Sequence, residues 1–195
     1  MPLIVDREER RGQVASLAFD LVADMGIEAV TFRQVAGAAG TSTAIVSNWF
    51  DNKGDLLFEV YRIANRRVMD RLEAAFAQDQ ALIDCLSVVL PVTEENLRTW
   101  RVWLAFWGRA HIEASYREET ARNARSSLDL YCRMLARRYG RKEGAHDPLV
   151  EALARRLIAT VGGIALQGVL APDDWSLESL RDLIATEIRV LDKEV

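Results

Sequence analysis

The chain has 195 residues, half of them hydrophobic, and a formal net charge of −4 at pH 7. This length and composition predict a globular protein that buries enough apolar surface to fold without disulfides or metals. The apolar runs are too short or too interrupted to cross a bilayer or to act as a secretory signal, and Cys85 and Cys132 lack metal-ligand spacing, so we expect a cytoplasmic protein without a metal or cofactor.

The first predicted helix covers residues 6–25. Its apolar residues recur at intervals of three and four, and Gly26 follows as a C-cap. We expect this stripe to pack behind the next two helices, with Phe19, Ile27 and Val30 completing a three-helix core. The stripe consists of Val14, Leu17, Ala18, Leu21, Val22 and Met25.

The next segment predicts a short helix, a tight turn and a second short helix. Thr31 precedes Gln34 by three residues, which is a capping-box pattern. Gly40 supplies the turn, because glycine adopts positive φ without strain. Thr41 or Ser42 is expected to cap the second helix by accepting a hydrogen bond from a free backbone N–H.

The second helix of this pair has two different sides. Val46 and Phe50, four residues apart, form an apolar side that should anchor it to the core. The opposite side is small or polar, which suits a helix that enters a DNA major groove. Its members are Thr43, Ala44, Ile45, Ser47 and Asn48. Trp49 and Lys53 lie just beyond and suit phosphate oxygens. An alternative is a helical hairpin without a partner, since such patterns often arise by chance.

The pair resembles the DNA-binding segment of the TetR family of bacterial transcriptional regulators. The matching residues are Gly26, Val30-Thr31, Val35-Ala36, Ala39-Gly40, Ser42, Phe50 and Lys53. The resemblance implies a DNA-binding domain at residues 1–53 that binds a palindromic operator as part of a homodimer. It implies that Arg33 reads a base edge and that the surface beginning at Ser42 faces the groove through Thr43, Ala44, Ile45 and Ser47. It also implies phosphate contacts from Thr31, Asn48, Trp49 and Lys53.

The charge of this domain is unfavourable for DNA. Residues 1–53 carry five basic and seven acidic side chains. Phosphate binding depends on the local field within a Debye length, so distant acids count little. We expect Arg7, Arg10 and Arg11 to supply phosphate contacts if they flank the groove.

The remaining residues, 54–195, predict an all-α body for ligand binding and dimerisation. A helix over residues 55–78 forms a rod of roughly 36 Å, which is interpreted as a lever or, equally well, as a rigid strut. Further helices are predicted at 82–90, 94–114, 118–139, 149–170 and 176–191.

The last two predicted helices have spare apolar faces, which suggests a four-helix interface between two copies. The predicted helix at 149–170 contains several glycines, which lower helix propensity. A close approach of another helix would explain why glycine is used there. We expect the interface to contain Leu157, Val161, Gly162, Leu166, Leu180, Ile184 and Ile188. An alternative is that the two helices only complete the core of the monomer.

The segment from 94 to 114 is rich in aromatic residues. Trp100, Trp103 and Trp107 share one helical face with His111. Tryptophan at this spacing is usually core, but aromatic rings also hold quaternary ammonium groups by cation–π attraction. Such a site would be completed from neighbouring elements by Tyr116, Tyr131 or Trp175.

The body also resembles the BetI-type branch of the family, the choline-sensing repressors of glycine-betaine synthesis. The similar stretches are Trp103-Leu104-Ala105-Phe106-Trp107, Tyr116-Arg117 and the run from Ser42 to Ser47. The resemblance implies a small-molecule inducer, with choline or a related cation as the leading hypothesis, and a repressor that the inducer releases from DNA.

No catalytic constellation is found. The sequence has no phosphate-binding glycine loop and no HExxH or GxSxG motif, and its two histidines lie in different contexts, so we expect no enzyme activity. The main alternative function is a helical ligand-binding or adaptor protein whose helix pair contacts protein instead of DNA. The acidic first domain is the best support for that alternative.

Overall fold

The computed structural model describes the backbone of residues 2–195 and the side chains of residues 8–195. All regular structure in this part of the chain is helical, which confirms the predicted all-α fold. The helices are α1 (Pro2–Met25), α2 (Phe32–Ala38), α3 (Thr43–Trp49), α4 (Lys53–Ala77), α5 (Leu82–Ser87), α6 (Glu94–Ala110), α7 (Ala114–Arg138), α8 (Pro148–Leu170) and α9 (Leu177–Leu191). None of the helices in the described residues is long and apolar enough to cross a membrane.

The chain forms two compact units, each built from two stretches of sequence. The first unit comprises residues 1–67 and 98–120, and the second comprises residues 68–97 and 121–195. The predicted functional boundary after residue 53 therefore falls inside the first unit, in which α1 to α3 are joined by the start of α4 and most of α6.

Helices α1, α2 and α3 enclose the predicted small core. Phe19, Ile27, Val30 and Phe50 are all buried, as expected from the sequence. The guanidinium of Arg67, from α4, lies 4.6 Å from the centre of the Phe19 ring and covers it from one side. Val35 and Ala36 of α2 and Val46 of α3 are also buried, so all three helices contribute to this core.

The predicted helix over residues 94–114 is interrupted. Helix α6 ends at Ala110 and α7 begins at Ala114. The backbone N–H groups of Ile112 and Glu113 both donate to the carbonyl of Arg109, at 2.9 and 2.8 Å, and close the last turn of α6. His111 therefore lies in a turn and is exposed, instead of sharing the tryptophan face of α6.

In the second unit, the glycines of α8 differ in what surrounds them. A Cβ atom at Gly168 would lie 3.2 Å from side-chain carbons of Leu180 and Pro91, so any larger residue here would require these side chains to shift. A Cβ atom at Gly162 or Gly163 would meet nothing within 4 Å among the described atoms. The described residues of the chain therefore leave room for another helix to approach closely at these two positions.

Candidate DNA-binding and ligand-binding sites

The turn between α2 and α3 has the predicted local structure. Thr31 caps α2 in a capping box, in which the Gln34 N–H donates to Thr31 Oγ1 at 3.3 Å and the Thr31 N–H donates to Gln34 Oε1 at 2.8 Å. Gly40 has a φ of +62°. Ser42 caps α3, with its Oγ accepting from the Ile45 N–H at 3.3 Å. These contacts satisfy free N–H groups and set where each helix starts.

Helix α3 is anchored on one side and open on the other. Val46 and Phe50 are completely buried, which confirms that they form the apolar side. The residues predicted to face DNA are all exposed: Ser42, Thr43, Ala44, Ile45, Ser47 and Asn48. Ser47 Oγ donates to the Thr43 carbonyl at 3.0 Å, so its hydroxyl lies against the helix and does not project from the exposed side. A backbone that carries only such short side chains can approach base edges closely.

The remaining predicted DNA-contacting residues are Arg33, predicted to read a base edge, and Thr31, Trp49 and Lys53, predicted to contact phosphate. Thr31 and Arg33 are exposed, and Trp49 and Lys53 are half-buried. The ammonium group of Lys53 donates to the carbonyl of Glu28 at 3.0 Å, which holds it beside the start of α4. The predicted DNA-contacting residues are thus all exposed or half-buried in the structure.

Arg11 has a different position from the one expected. Its Nε donates to the carbonyl of Trp49 at 3.2 Å, and its guanidinium lies 4.8 Å from the centre of the Phe50 ring. It also pairs with Asp55 at 3.2 Å. Arg11 therefore holds the C-terminal end of α3 and is not directed at phosphate. Arg10 is exposed, and the side chain of Arg7 lies outside the described residues.

Trp100, Trp103 and Trp107 form one cluster on α6. Trp100 packs edge-on against the other two, with ring centres 5.2 and 5.9 Å away. Trp103 and Trp107 are nearly parallel, at an angle of 15° and a distance of 5.9 Å. The first two rings are buried, whereas Trp107 is 38% exposed. The cluster therefore has a closed inner part and one ring that reaches solvent.

The other predicted ligand-binding residues have different surroundings. His111 is exposed in the turn after α6. The buried ring of Tyr116 packs against Phe58 and Phe106, with ring centres 5.0 and 4.4 Å away. Tyr131 is buried in the second unit, and its burial raises the pKa of its phenol above the ordinary value. The half-buried Trp175 also belongs to the second unit.

Helix α4 adds an aromatic residue that the sequence did not suggest. The Trp107 Nε1–H donates to the hydroxyl of Tyr61 at 3.0 Å, and the Tyr61 ring stacks on Phe106 at 4.0 Å. Burial raises the pKa of the Tyr61 phenol, so it stays neutral. Trp103 Nε1 is buried without a hydrogen-bond partner among the described residues. An unpaired buried donor costs roughly 1–3 kcal/mol, and an acceptor on a ligand would relieve that cost.

A buried carboxylate lies in the same unit. Glu119 of α7 is 3% exposed, and its two oxygens accept from Nε and Nη2 of Arg62 at 2.8 and 3.0 Å. Hydrogen bonding to Glu119 raises the pKa of the Arg62 guanidinium. No sequence signal identifies this pair, because Arg62 and Glu119 are far apart in the chain and each sits among other charged residues.

The second unit contains a cavity of about 360 Å³ beside the loop that joins α7 to α8. Its lining is mixed in charge and includes Asp129, Arg133, His146 and Glu151. None of the predicted ligand-binding residues lines it. In the described residues, no group of three or more His, Cys, Asp or Glu side chains is arranged to hold a metal ion.

Most of the residues predicted for the dimer interface point inward. Leu157, Val161, Leu180, Ile184 and Ile188 are buried inside the subunit. Gly162 and Leu166 are half-buried. Because α8 is apolar on more than one side, it has a second stripe that faces outward. This stripe contains Ala152, Ala159, Gly163 and Leu170, and on α9 the corresponding outward residues are Leu183 and Val190.

The first three helices form a buried core, and the second helix of the helix-turn-helix is short and has one exposed side. An all-α body follows. This arrangement defines a DNA-binding transcriptional regulator. Residues 16–60 match the family described as bacterial regulatory proteins of the tetR family, and residues 78–192 match the C-terminal region of BetI-type transcriptional repressors. The chain belongs to the TetR family, in its BetI-type branch.

Individual relatives agree with this assignment. The chain is 27% identical to the HTH-type transcriptional regulator PksA of Bacillus subtilis, over 96% of this chain and 92% of PksA. It is 28% identical to BetI of Paraburkholderia phymatum, over 92% of this chain and 91% of that protein. The protein is therefore a dimeric, ligand-sensing transcriptional regulator and not an enzyme, and the alternative of a protein-binding adaptor is not favoured.

Solved structures show the same fold. A transcriptional regulator from Rhodococcus sp. Rha1 superposes with a TM-score of 0.79 at 26% identity, covering 94% of this chain and 96% of that one. A regulator from Saccharomonospora viridis, determined in complex with choline, superposes with a TM-score of 0.78 at 24% identity, covering 93% of this chain and 96% of the other.

Proposed function

We propose that this protein is a cytoplasmic repressor that binds a palindromic operator as a dimer and leaves it when a small organic cation binds. Residues 1–53 contact DNA, and residues 54–195 bind the ligand and the partner copy. The observation that carries the proposal is the division of α3 into a buried side, Val46 and Phe50, and an exposed side of short side chains. Two such helices about one DNA turn apart read two half-sites.

Arg33 and Lys53 are assigned different tasks at the DNA. An Arg33→Ala variant is expected to lose about 1–3 kcal/mol on the operator and little on random DNA, because Arg33 reads a base edge. A Lys53→Ala variant is expected to weaken binding to both DNAs equally and to lower the salt slope by about 1, because Lys53 contacts phosphate. Fluorescence anisotropy at several salt concentrations, with an operator selected from a random duplex pool, measures both effects.

Arg33→Lys is the matched control for the first variant. It keeps the positive charge but removes the planar fork that forms two parallel hydrogen bonds with a base. It should therefore keep the affinity for random DNA and still lose discrimination. Equal losses on operator and random DNA for the Arg33 and Lys53 variants would contradict this division of roles.

The ligand is proposed to be choline or a related quaternary cation held by the tryptophan cluster. The three rings offer faces to a positive charge, and the unpaired Nε1–H of Trp103 can donate to an oxygen of the ligand. A BetI-type body and a structural neighbour that holds choline support the same ligand class. In the DNA-incompetent state, α4 is tilted and the spacing of the two α3 helices of the dimer is changed. A cation that binds this state more tightly than the DNA-competent state therefore releases the repressor from the operator.

The cluster is closed in this structure. Carbon atoms in contact lie about 3.5–4.0 Å apart, so a methyl group between two parallel rings needs roughly 7–8 Å. The ring centres of Trp103 and Trp107 are only 5.9 Å apart. We therefore expect Trp107, the exposed ring, to swing outward when the cation enters, which breaks its hydrogen bond to Tyr61.

Titration calorimetry with choline and betaine aldehyde tests the ligand. A Trp107→Leu variant is expected to bind choline about 2- to 30-fold more weakly, which corresponds to the roughly 0.5–2 kcal/mol of one cation–π contact. Trp175→Leu removes a half-buried tryptophan from the second unit and should leave choline binding unchanged. The absence of heat above dilution for both compounds would rule out this ligand class.

A further inference from the structure

The ion pair between Arg62 and Glu119 is unusual because only one of its members is protected from water. Glu119 is 3% exposed, whereas the side chain of Arg62 is 40% exposed. A buried carboxylate requires a positive partner, since removal of that partner leaves an uncompensated charge. The partner itself can be exchanged, because Arg62 reaches Glu119 from the solvent side.

Each member of this pair has a buried tyrosine close to it on its own helix. Tyr116 lies one helical turn before Glu119 on α7 and is equally buried. Tyr61 precedes Arg62 on α4 and accepts the hydrogen bond from Trp107. Glu119 is therefore connected to the tryptophan cluster through Tyr61, the neighbour of its ion-pair partner Arg62, and it lies one turn from Tyr116, which is outside that cluster. An anion beside aromatic faces is the combination that selects an organic cation over a neutral molecule of the same shape.

Arg62 also begins a row of alternating charges that ends at α3. Its Nη1 lies 3.6 Å from Glu59, and Arg11 lies 3.3 Å from the same oxygen of Glu59. Arg11 in turn donates to the carbonyl of Trp49, the last residue of α3. The four charged side chains thus form a continuous network from the buried carboxylate to the recognition helix.

We infer that Glu119 is the counter-ion of the positively charged ligand, that the ligand binds by displacing Arg62 from it, and that Glu59 and Arg11 pass this displacement to α3. The inference rests on the proposed function and deepens it by naming the anion and the link to DNA. Arg62 contacts both Glu119 and Glu59 in this structure, so it keeps Glu59 as an acidic partner when the ligand displaces it from Glu119. This gives the network two arrangements, and the ligand selects one of them through its differential affinity.

The exchange is tested first with a probe that need not be the natural ligand. An Arg62→Met variant keeps the apolar stem but leaves Glu119 without its guanidinium. Tetramethylammonium chloride, titrated against sodium chloride at equal ionic strength, should bind this variant roughly tenfold or more tightly than it binds the wild type. The gain should disappear in an Arg62→Met/Glu119→Gln double variant. Equal affinity for the wild type and Arg62→Met would overturn the inference.

The second test compares choline with 3,3-dimethyl-1-butanol, which has the same shape without the charge. Wild-type protein should prefer choline, and Glu119→Gln should lose that preference, whereas Glu118→Gln, an exposed carboxylate on the same helix, should keep it. This test still applies if Arg62→Met does not fold. Choline binding that Glu119→Gln leaves unchanged would refute the role of Glu119.

The link to DNA has its own measurement. Without ligand, Glu119→Gln should weaken operator binding roughly 5- to 10-fold, because the substitution releases Arg62 as the cation does. This loss lies at the lower end of a typical coupling, which is about 5- to 150-fold. The Arg62→Met/Glu119→Gln variant should lose no more than the larger of the two single losses. Multiplied losses in the double variant would contradict the network. If wild-type protein ignores choline while Arg62→Met gains tetramethylammonium binding, the inducer in the proposed function is wrong and the site stands.

Discussion

A Phe50→Ala variant is expected to lose operator binding because the DNA-binding head no longer folds stably. Phe50 is 1% exposed, and Arg11 covers its ring. Removal of a buried phenylalanine side chain costs about 3–5 kcal/mol. This is a large share of the roughly 5–15 kcal/mol that stabilises a typical domain. Thermal unfolding followed by circular dichroism and gel shifts on the operator measure the two losses in parallel.

Ile45→Ala separates stability from recognition on the same helix. Ile45 is 40% exposed on the side of α3 opposite Phe50. Its truncation should change the free energy of unfolding by no more than about 0.5 kcal/mol. It should still weaken operator binding by about 1–3 kcal/mol, because a methyl contact in the groove is lost. If Ile45→Ala destabilised the protein as much as Phe50→Ala, the assignment of the two sides of α3 would be wrong.

The helix-turn-helix could be predicted because its signals are local. The capping box of Thr31 and Gln34, the turn at Gly40 and the four-residue spacing of Val46 and Phe50 all act within one or two turns of helix. Each of these signals depends on neighbouring backbone atoms and little on distant parts of the chain. The orientation of α3 followed from them, and with it the set of exposed residues at the proposed DNA surface.

The surroundings of the tryptophan cluster could not be predicted in the same way. The turn between α6 and α7 contains no glycine or proline, so the sequence predicts a helix that continues to residue 114, whereas α6 ends at Ala110 and His111 lies in the turn. Tyr61 and Glu119 join the site through contacts with residues 46 and 57 positions away in sequence. Periodicity identifies an apolar or aromatic helix face but does not identify which distant helix covers it.

The residues of the dimer interface were also difficult to predict, because α8 is apolar on two sides and periodicity does not show which side faces the core. Leu157 and Gly163 are equally compatible with an interface when only the spacing is known. The structure separates them, because Leu157 is buried in the subunit and Gly163 is exposed. We therefore propose that two copies meet through the outward stripe of α8 and α9. Small side chains at Ala159 and Gly163 allow the backbones of the two α8 helices to approach closely.

Gly163→Leu is expected to stabilise the isolated subunit and to dissociate the dimer. A side chain at this position meets nothing within 4 Å among the described atoms, and leucine improves helix propensity by roughly 0.8 kcal/mol over glycine. The same side chain would hold apart two α8 helices that cross at this point. Without the dimer, each head binds one half-site alone, so operator affinity should fall by roughly 10²- to 10⁴-fold.

Sedimentation velocity at micromolar concentration and gel shifts on the operator measure these two losses. Ala74→Leu provides the control, since Ala74 is an exposed position inside α4 at which a larger side chain should leave both properties unchanged. Leu157→Ala should instead lower the free energy of unfolding by about 2–5 kcal/mol, because Leu157 fills the core of the subunit. Within the described part of the subunit, a side chain at position 163 meets nothing, so only a partner helix at this position would be disturbed by it. A Gly163→Leu protein that remained a dimer with full operator affinity would therefore place the partner copy on another surface.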